Sequence, residues 1–184
     1  MSALSVRALP TKAAVLASGA ALALLTVFAG TAAATAQTDA GPSAAAEACS
    51  IAGLGNPNTC AQAVTWAKNH ITTTYHADYY RACDHLVGLA YGFPHSGSAT
   101  AIAHWGAIPG TYKHAGDASV PAGGLAFFST SSAGHVMISI GGGEFVSNDI
   151  HGNGTYTKTT IAEIKSSWGA TYLGWAQPWF QYNH

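Results

Sequence analysis

The sequence is poor in charged residues, which make up only 8% of its 184 positions. Seven lysines and arginines stand against eight aspartates and glutamates, and the basic residues do not gather into a patch. Binding to nucleic acid or to anionic lipid needs clustered positive charge. The composition therefore argues against both partners and indicates a neutral surface rich in Gly, Ser and Thr.

Several motifs of well-known catalytic and binding sites are also absent. The chain has no C-x-x-C pair, no H-E-x-x-H motif, no G-x-S-x-G elbow and no phosphate-binding glycine loop. The three glycines at 141–143 stand between two predicted strands, which is typical of a hairpin turn. The histidines lack metal-ligand spacing, and His95 and His104 are expected in loops or at the surface. We therefore expect neither a metal nor another cofactor.

The N-terminal segment has the layout of a secretory signal peptide. Arg7 and Lys12 form a positive region, an apolar run extends to about Gly30, and the Ala-Thr-Ala triplet at 34–36 is a small-x-small cleavage site. The alternative is an uncleaved anchor helix, because the apolar run approaches membrane-spanning length. No basic stop-transfer cluster follows it. We predict that residues 1–36 are removed, and that the protein is secreted, extracellular or associated with a cell wall, and free of the membrane.

Cysteine is scarce and odd in number, with Cys49, Cys60 and Cys83 as the only three. In an oxidising compartment one of three must stay unpaired. Cys49 and Cys60 flank a turn-rich stretch, SIAGLGNPNT, which suits a loop closed by a bridge, although the sequence permits three pairings. We predict the Cys49–Cys60 disulfide. Cys83 is then the free thiol, and the ordinary state of a free cysteine is a buried, inert core residue.

Removal of the signal peptide leaves 148 residues, enough for one domain with a substantial core. Residues 37–58 are expected to form a flexible lead-in, since their first part is low in complexity. Residues 59–184 form the predicted folded domain, and we expect it to be a monomer.

Helical patterns fill the first half of this domain. The first predicted helix is capped by Thr59, and the second is capped by Asp78 and ends at Gly92. A third short helix begins at Ser98 and stops near Pro109.

After Pro121 the hydrophobic period changes from that of helices to that of strands. Strands are predicted at 124–128, 135–140, 144–150, 155–159 and 171–176. Thr160 and Glu163 form a capping-box pair that opens a short helix ending near Trp168. Helices followed by a strand meander indicate an α+β domain, with N-terminal helices packed on an antiparallel sheet.

Cys83 and His135 are the pair best suited to nucleophilic catalysis. A thiol becomes a good nucleophile when a helix N-terminus and an adjacent imidazolium stabilise its thiolate. Cys83 falls in an early turn of its predicted helix, where free N–H groups and the helix dipole favour negative charge. His135 begins a predicted strand, so the strand end can aim its ring at the helix.

The hairpin register nominates a third residue beside His135. A three-residue loop at 141–143 places Asp149 directly opposite the histidine. Ser147 is then diagonal to it on the same face of the sheet. A two-residue loop places Asn148 opposite instead. A carboxylate or amide there would fix the tautomer of the ring, although Asp149 equally suits an ordinary hairpin carboxylate.

Three segments around these residues carry a family resemblance. They are ACDHLVGLAYG, VPAGGLAFF and GHVMISIGGGEFVSND. They resemble the NlpC-like cell-wall peptidases, papain-like cysteine hydrolases of peptidoglycan whose core is shared with the CHAP amidases. Similarity extends from about Cys60 to the C-terminus. The resemblance implies a papain-like NlpC core with Cys83 as nucleophile and His135 as base.

Three positions depart from the family pattern. Ala82 precedes the cysteine where the family usually has Asp, and Asp84-His85 follow it in place of Ser-Gly. Gly124 replaces an Asp of the family's strand. The third catalytic position, often a second histidine, aligns with Ser147. A serine is a weak orienting group, so a neighbouring hairpin residue would have to take that role.

The resemblance implies hydrolysis of an amide bond in the peptide stem of peptidoglycan. Cys83 would attack the carbonyl carbon, and backbone N–H groups at the helix start would hold the oxyanion. Tyr79 or Tyr80 either adds a hydroxyl donor or packs on the core. His135 would protonate the leaving amine and then activate water. Two alternatives stay open: an acyltransferase on the same core, in which an amine replaces water, and an inactive cell-wall-binding or toxin-like module.

Overall fold

The structure, a computed structural model, describes Cys49 and residues 51–184. The predicted signal peptide and most of the predicted lead-in lie outside these residues. The described chain combines helices with an antiparallel sheet, which confirms the α+β class. The helices in this part of the chain are too short or too polar to span a membrane.

The sheet has six strands in the order β1-β6-β2-β3-β4-β5, and all neighbours are antiparallel. The strands are β1 (Lys113–Ala115), β2 (Leu125–Ser129), β3 (His135–Gly141), β4 (Glu144–Asn148), β5 (Tyr156–Thr159) and β6 (Thr171–Ala176). The helices are α1 (Cys60–Asn69), α2 (Cys83–Ala90), α3 (Ala101–Ala107) and α4 (Ile161–Trp168). Single 3-10 turns lie at Ala77–Tyr79, Gly110–Tyr112 and Gln181–Asn183.

The two central strands are buried on both faces. Successive side chains of a strand point to opposite faces of the sheet. Val136 and Ile138 of β3 therefore pack with α1 and α2 on one face. Met137 packs on the other face, together with Ile164 of α4. All four side chains are fully buried, which explains the apolar run Val136–Ile138 in the middle of β3. Each contributes roughly 1.5–3 kcal/mol by leaving water.

The helix starts follow local capping rules. Thr59 accepts from the Gln62 N–H at 3.3 Å, and the Gln62 side chain accepts from the Thr59 N–H at 2.8 Å, which is a complete capping box. Helix α4 follows Thr160 as predicted. Helix α3 follows Thr100 and not Ser98, because the Thr100 hydroxyl is the oxygen that accepts a hydrogen bond from the first turn.

The helix that carries Cys83 begins later than predicted. Asp78, the predicted N-cap, lies in the 3-10 turn Ala77–Tyr79. Arg81 has φ 55, in the left-handed region, and such a residue interrupts a right-handed helix. Helix α2 therefore follows Ala82, and Cys83 is its first residue.

The β3–β4 hairpin keeps the predicted register through a different turn. Val146 lies opposite Ile138, as in the register of a three-residue loop. The turn contains only residues 142–143, both with positive φ, and a bulge before Gly141 supplies the additional residue. Strand β4 then ends at Asn148.

The predicted Cys49–Cys60 disulfide is confirmed, with a Cα–Cα distance of 5.7 Å. It ties the segment before α1 to the first residue of that helix. The described part of the predicted lead-in is further held by Asn56, which donates to Pro178 O at 2.7 Å, and by Asn58, which donates to Ala90 O at 2.9 Å. Residues 51–58 are thus part of the domain and not a free linker.

Candidate functional site

A pocket of about 540 Å³ opens at the N-terminal end of α2. Its walls are the start of α2, the segment 95–101, the loop 131–134 and the end of β4. Cys83 and His135 both line it. The two residues singled out from sequence therefore open onto one cavity, although they lie on different elements 52 positions apart.

Cys83 is the free cysteine of the chain and is half-buried. As the first residue of α2 it has no side-chain cap before it, so N–H groups of the first turn stay free. Burial raises the pKa of its thiol to about 12; backbone N–H groups of Val136 and Asp84 oppose this rise, and the carboxylates of Asp84 and Asp149 add to it. The sulphur is therefore a protonated thiol at neutral pH.

His135 is the first residue of β3 and is buried. Its Nε2 lies 2.7 Å from Ser147 Oγ, which in turn donates to Val136 O at 3.2 Å. The single hydroxyl proton is used by that carbonyl, so Nε2–H donates to Oγ and Nδ1 keeps its lone pair. Within the described chain Nδ1 has no hydrogen-bond partner. The edge of Trp168 packs against the ring, with centroids 4.8 Å apart.

The resting site is uncharged at the thiol and the imidazole. Burial lowers the pKa of His135 to about 4, and it raises that of Cys83. No hydrogen bond joins the two side chains in the described part of the structure. The sulphur does lie beside the N–H of Val136, the residue that follows the histidine. With both groups neutral, nucleophilic attack by this sulphur would require its proton to leave during the attack, and not beforehand.

Asp149, the expected third residue, does not contact His135. Its Oδ2 accepts from the Arg81 N–H at 2.8 Å, and its Oδ1 accepts from the Gly154 N–H at 2.6 Å. The reason is conformational: Asp149 follows the end of β4 and has φ 63, which turns it out of the strand. It holds the loops beside the pocket, and Ser147 is the partner of the ring.

Asn148, the other alternative, also lines the pocket without contacting the ring. Its Nδ2 donates to Tyr79 O at 2.7 Å and to Asp149 Oδ2 at 2.8 Å. Both partners are acceptors, so the orientation of the amide is fixed. Its Oδ1 is buried and has no partner in the described chain.

The two tyrosines proposed as hydroxyl donors do not line the pocket. The ring of Tyr79 packs on Tyr156, with centroids 5.7 Å apart, and burial raises the pKa of its hydroxyl above the usual value. Tyr80 is exposed beside Arg81. Packing is therefore the arrangement found for Tyr79, and free backbone N–H groups at the start of α2 are the remaining oxyanion donors.

A buried polar cluster that the sequence did not reveal lies next to Cys83, around the side chain of Asp84. His104 Nδ1 is 2.6 Å from Asp84 Oδ1, and the Ser96 hydroxyl donates to Asp84 Oδ2. His104 Nε2 is 2.7 Å from the carbonyl oxygen of Trp179, so that nitrogen must carry a proton. His104 is fully buried, and its predicted place in a loop or at the surface is wrong. The one sequence signal was Asp84 itself, standing where the family has a serine.

The described residues contain no group of three or more His, Cys, Asp or Glu side chains arranged to hold a metal ion. No model of a known protein family matches the chain, and neither does any curated protein. The chemistry of the pocket is therefore inferred from its own geometry.

Proposed function

We propose that the protein is a secreted cysteine hydrolase that cleaves an amide bond in the peptide part of peptidoglycan, on a papain-like NlpC core. The observation that carries the proposal is the joint opening of Cys83 and His135 onto one pocket, with Nδ1 of the ring left free. A helix-borne thiol beside an oriented imidazole is the arrangement that cysteine hydrolases need. The resemblance of the surrounding segments supports the peptidoglycan substrate.

In the first half-reaction the thiol proton moves to His135 Nδ1 as the sulphur attacks the carbonyl carbon. A C–S bond forms, and the carbonyl oxygen becomes an oxyanion next to the first N–H groups of α2. The imidazolium then gives its proton to the leaving nitrogen as the C–N bond breaks. The products of this half-reaction are a free amine and a thioester on Cys83.

In the second half-reaction His135 takes a proton from water, and the resulting hydroxide attacks the thioester. The C–S bond breaks, a carboxylic acid leaves, and the sulphur recovers its proton. Ser147 holds Nε2–H throughout, which keeps Nδ1 as the nitrogen with the free lone pair. Because Ser147 carries no charge, it fixes the tautomer of the ring without stabilising the imidazolium as a carboxylate would.

The release of soluble fragments from purified sacculi tests the proposal. We expect Cys83→Ala to abolish release, because no other nucleophile of this kind lines the pocket in the described chain. Ser132→Ala is the matched control, since it changes an exposed pocket residue that the mechanism does not use. Fragment release by Cys83→Ala at the wild-type rate would refute the cysteine mechanism.

The same assay separates the alternatives. Hydrolysis adds the mass of water across the cleaved bond, whereas acyl transfer adds the mass of the accepting amine. Binding to sacculi without any change in fragment mass would favour a non-catalytic cell-wall-binding module.

A further inference from the structure

Arg81 stands at the rim of the pocket, two residues before the nucleophile, and is exposed. Its backbone has φ 55, an unfavourable conformation for a residue with a side chain. The chain holds it there by a hydrogen bond from the Arg81 N–H to Asp149 Oδ2 at 2.8 Å. Strained conformations of this kind persist where the surrounding structure enforces them, often at ligand-binding positions.

The guanidinium of Arg81 has no carboxylate partner in the described chain. The carboxylates found in contact with a basic side chain there join other residues: Asp84 with His104, Glu163 with His151, and Glu144 with Lys158. The Arg81 guanidinium lies instead over the ring of Tyr80, with its Cζ 5.3 Å from the ring centroid. That contact orients the group but leaves its N–H donors available.

The carboxylates at the pocket are already engaged inside the protein. Asp84 receives hydrogen bonds from Ser96 and His104. Asp149 receives three, from two backbone N–H groups and from the side chain of Asn148. A substrate therefore meets a positive guanidinium whose charge is not paired within the site.

Two histidines add to the donors of the same pocket. His95 Nδ1 accepts from the Gly97 N–H at 3.1 Å, so a neutral His95 carries its proton on Nε2, where it is free to donate. His85, the third residue of α2, also lines the pocket and is half-buried. Among the described residues that line this pocket, the one buried side-chain acceptor without a partner is Asn148 Oδ1, which is uncharged.

We propose that this pocket binds its peptide substrate through a carboxylate of that peptide, with Arg81 as the principal binding residue and His95 as a second donor. The planar guanidinium matches a carboxylate with two parallel hydrogen bonds. The proposal rests on the proposed function for the substrate class, a peptidoglycan peptide. It adds that a carboxylate is the group of that peptide which the pocket recognises. It makes Arg81 a determinant of specificity and not of the chemical step.

The test uses stem peptides in which each carboxylate is converted singly to the carboxamide. Binding is measured by calorimetry on Cys83→Ala, which cannot turn the peptide over. We expect one conversion to weaken binding by about 10- to 100-fold, the range for a hydrogen-bonded charge pair. Arg81→Gln in the same background should abolish that discrimination, and Arg81→Lys should keep part of it. Lys68→Gln, which changes an exposed lysine away from the pocket, should leave it intact.

Equal affinity for every acid and amide pair would overturn the proposal, as would an equal loss for both peptides in Arg81→Gln. Competition by inorganic phosphate without any acid–amide discrimination would assign the guanidinium to a phosphate ligand and would also overturn it. Arg81-dependent binding of the acid peptide, together with a wild-type protein that cleaves nothing, would support carboxylate recognition and refute only the hydrolase.

Discussion

His135 lies in a setting that keeps it neutral over most of the pH range. Sequence reasoning favoured a thiolate paired with an imidazolium, because Cys83 lies at a helix start. In the structure, burial disfavours both the thiolate and the imidazolium, so the pKa of the thiol rises and the pKa of the ring falls. In the proposed mechanism the nucleophile is therefore generated during attack, with the histidine as general base.

This protonation state predicts the acid limb of the pH profile. Below a pH of about 4 His135 is protonated and cannot accept the thiol proton, so kcat/KM should fall as the pH drops through that value. From about 5 to 7 it should stay nearly level. A profile of kcat/KM from about pH 3 to 8 on a soluble stem peptide measures this, and a limb near the ordinary histidine pKa of about 6.5 would contradict it.

Ser147 is the hydrogen-bond partner of the His135 ring. Ser147→Ala removes the acceptor of Nε2–H, so we expect kcat to fall by roughly 10- to 100-fold with little change in KM. Ser139→Ala is the matched control, since it deletes a buried hydroxyl of the same hairpin that bonds Val120 O and not the ring. Equal kinetics for the two variants would show that the ring does not depend on Ser147.

At the scale of elements, the buried Asp84–His104 pair fixes α2 to α3 and to the C-terminal segment. Asp84 is the second residue of α2, His104 belongs to α3, and Trp179 supplies the carbonyl beyond it. The first turn of α2, which carries Cys83, is thereby held at the pocket wall that Asp84 and Ser96 also line. Removal of one partner leaves the other buried and unpaired, which is costly.

Asp84→Asn tests this attachment. We expect the free energy of unfolding to fall by about 1–3 kcal/mol, because the amide has one acceptor oxygen for the two groups that contact the carboxylate, His104 and the Ser96 hydroxyl, and one buried polar group loses its partner. Glu144→Gln is the control, since its pair with Lys158 is half exposed and should contribute less than about 1 kcal/mol. Urea denaturation measures both variants, and a similar small loss for each would mean that the buried pair does not hold the helices.

Elements set by local rules were predictable, and those set by distant contacts were not. Thr59 and Thr160 marked their helices because a cap needs only residues three positions away. The start of α2 was not predicted correctly. It depends on the left-handed conformation of Arg81, whose N–H is held by Asp149, 68 positions later in the chain. The edge strand β1 is only three residues long and carries no clear alternation, so its pairing with β6 could not be seen.

At the scale of the whole molecule, the sequence predicted the fold class, and it predicted that Cys83 and His135 lie near each other; both line one pocket. Strand β3 was recognisable from its β-branched and apolar residues between His135 and a run of glycines, and the burial of the whole strand fixes His135 at its start. Asp149 was the favoured third residue, but the hydrogen-bond partner of the ring is Ser147, one of the two alternatives. The hairpin register was correct, but Asp149 lies one position beyond the end of β4, and only Ser147 remains in the strand to meet the ring.

The central claim, that Cys83 forms a covalent intermediate with a peptidoglycan peptide, is tested most directly by mass spectrometry of the protein quenched in acid during turnover of purified sacculi. We predict a hydroxylamine-labile adduct, with the mass of the acyl fragment, on the peptide that contains Cys83. His135→Ala should accumulate little of it, because the thiol keeps its proton. Release of fragments without an adduct on Cys83, and at an equal rate by Cys83→Ala, would contradict the account.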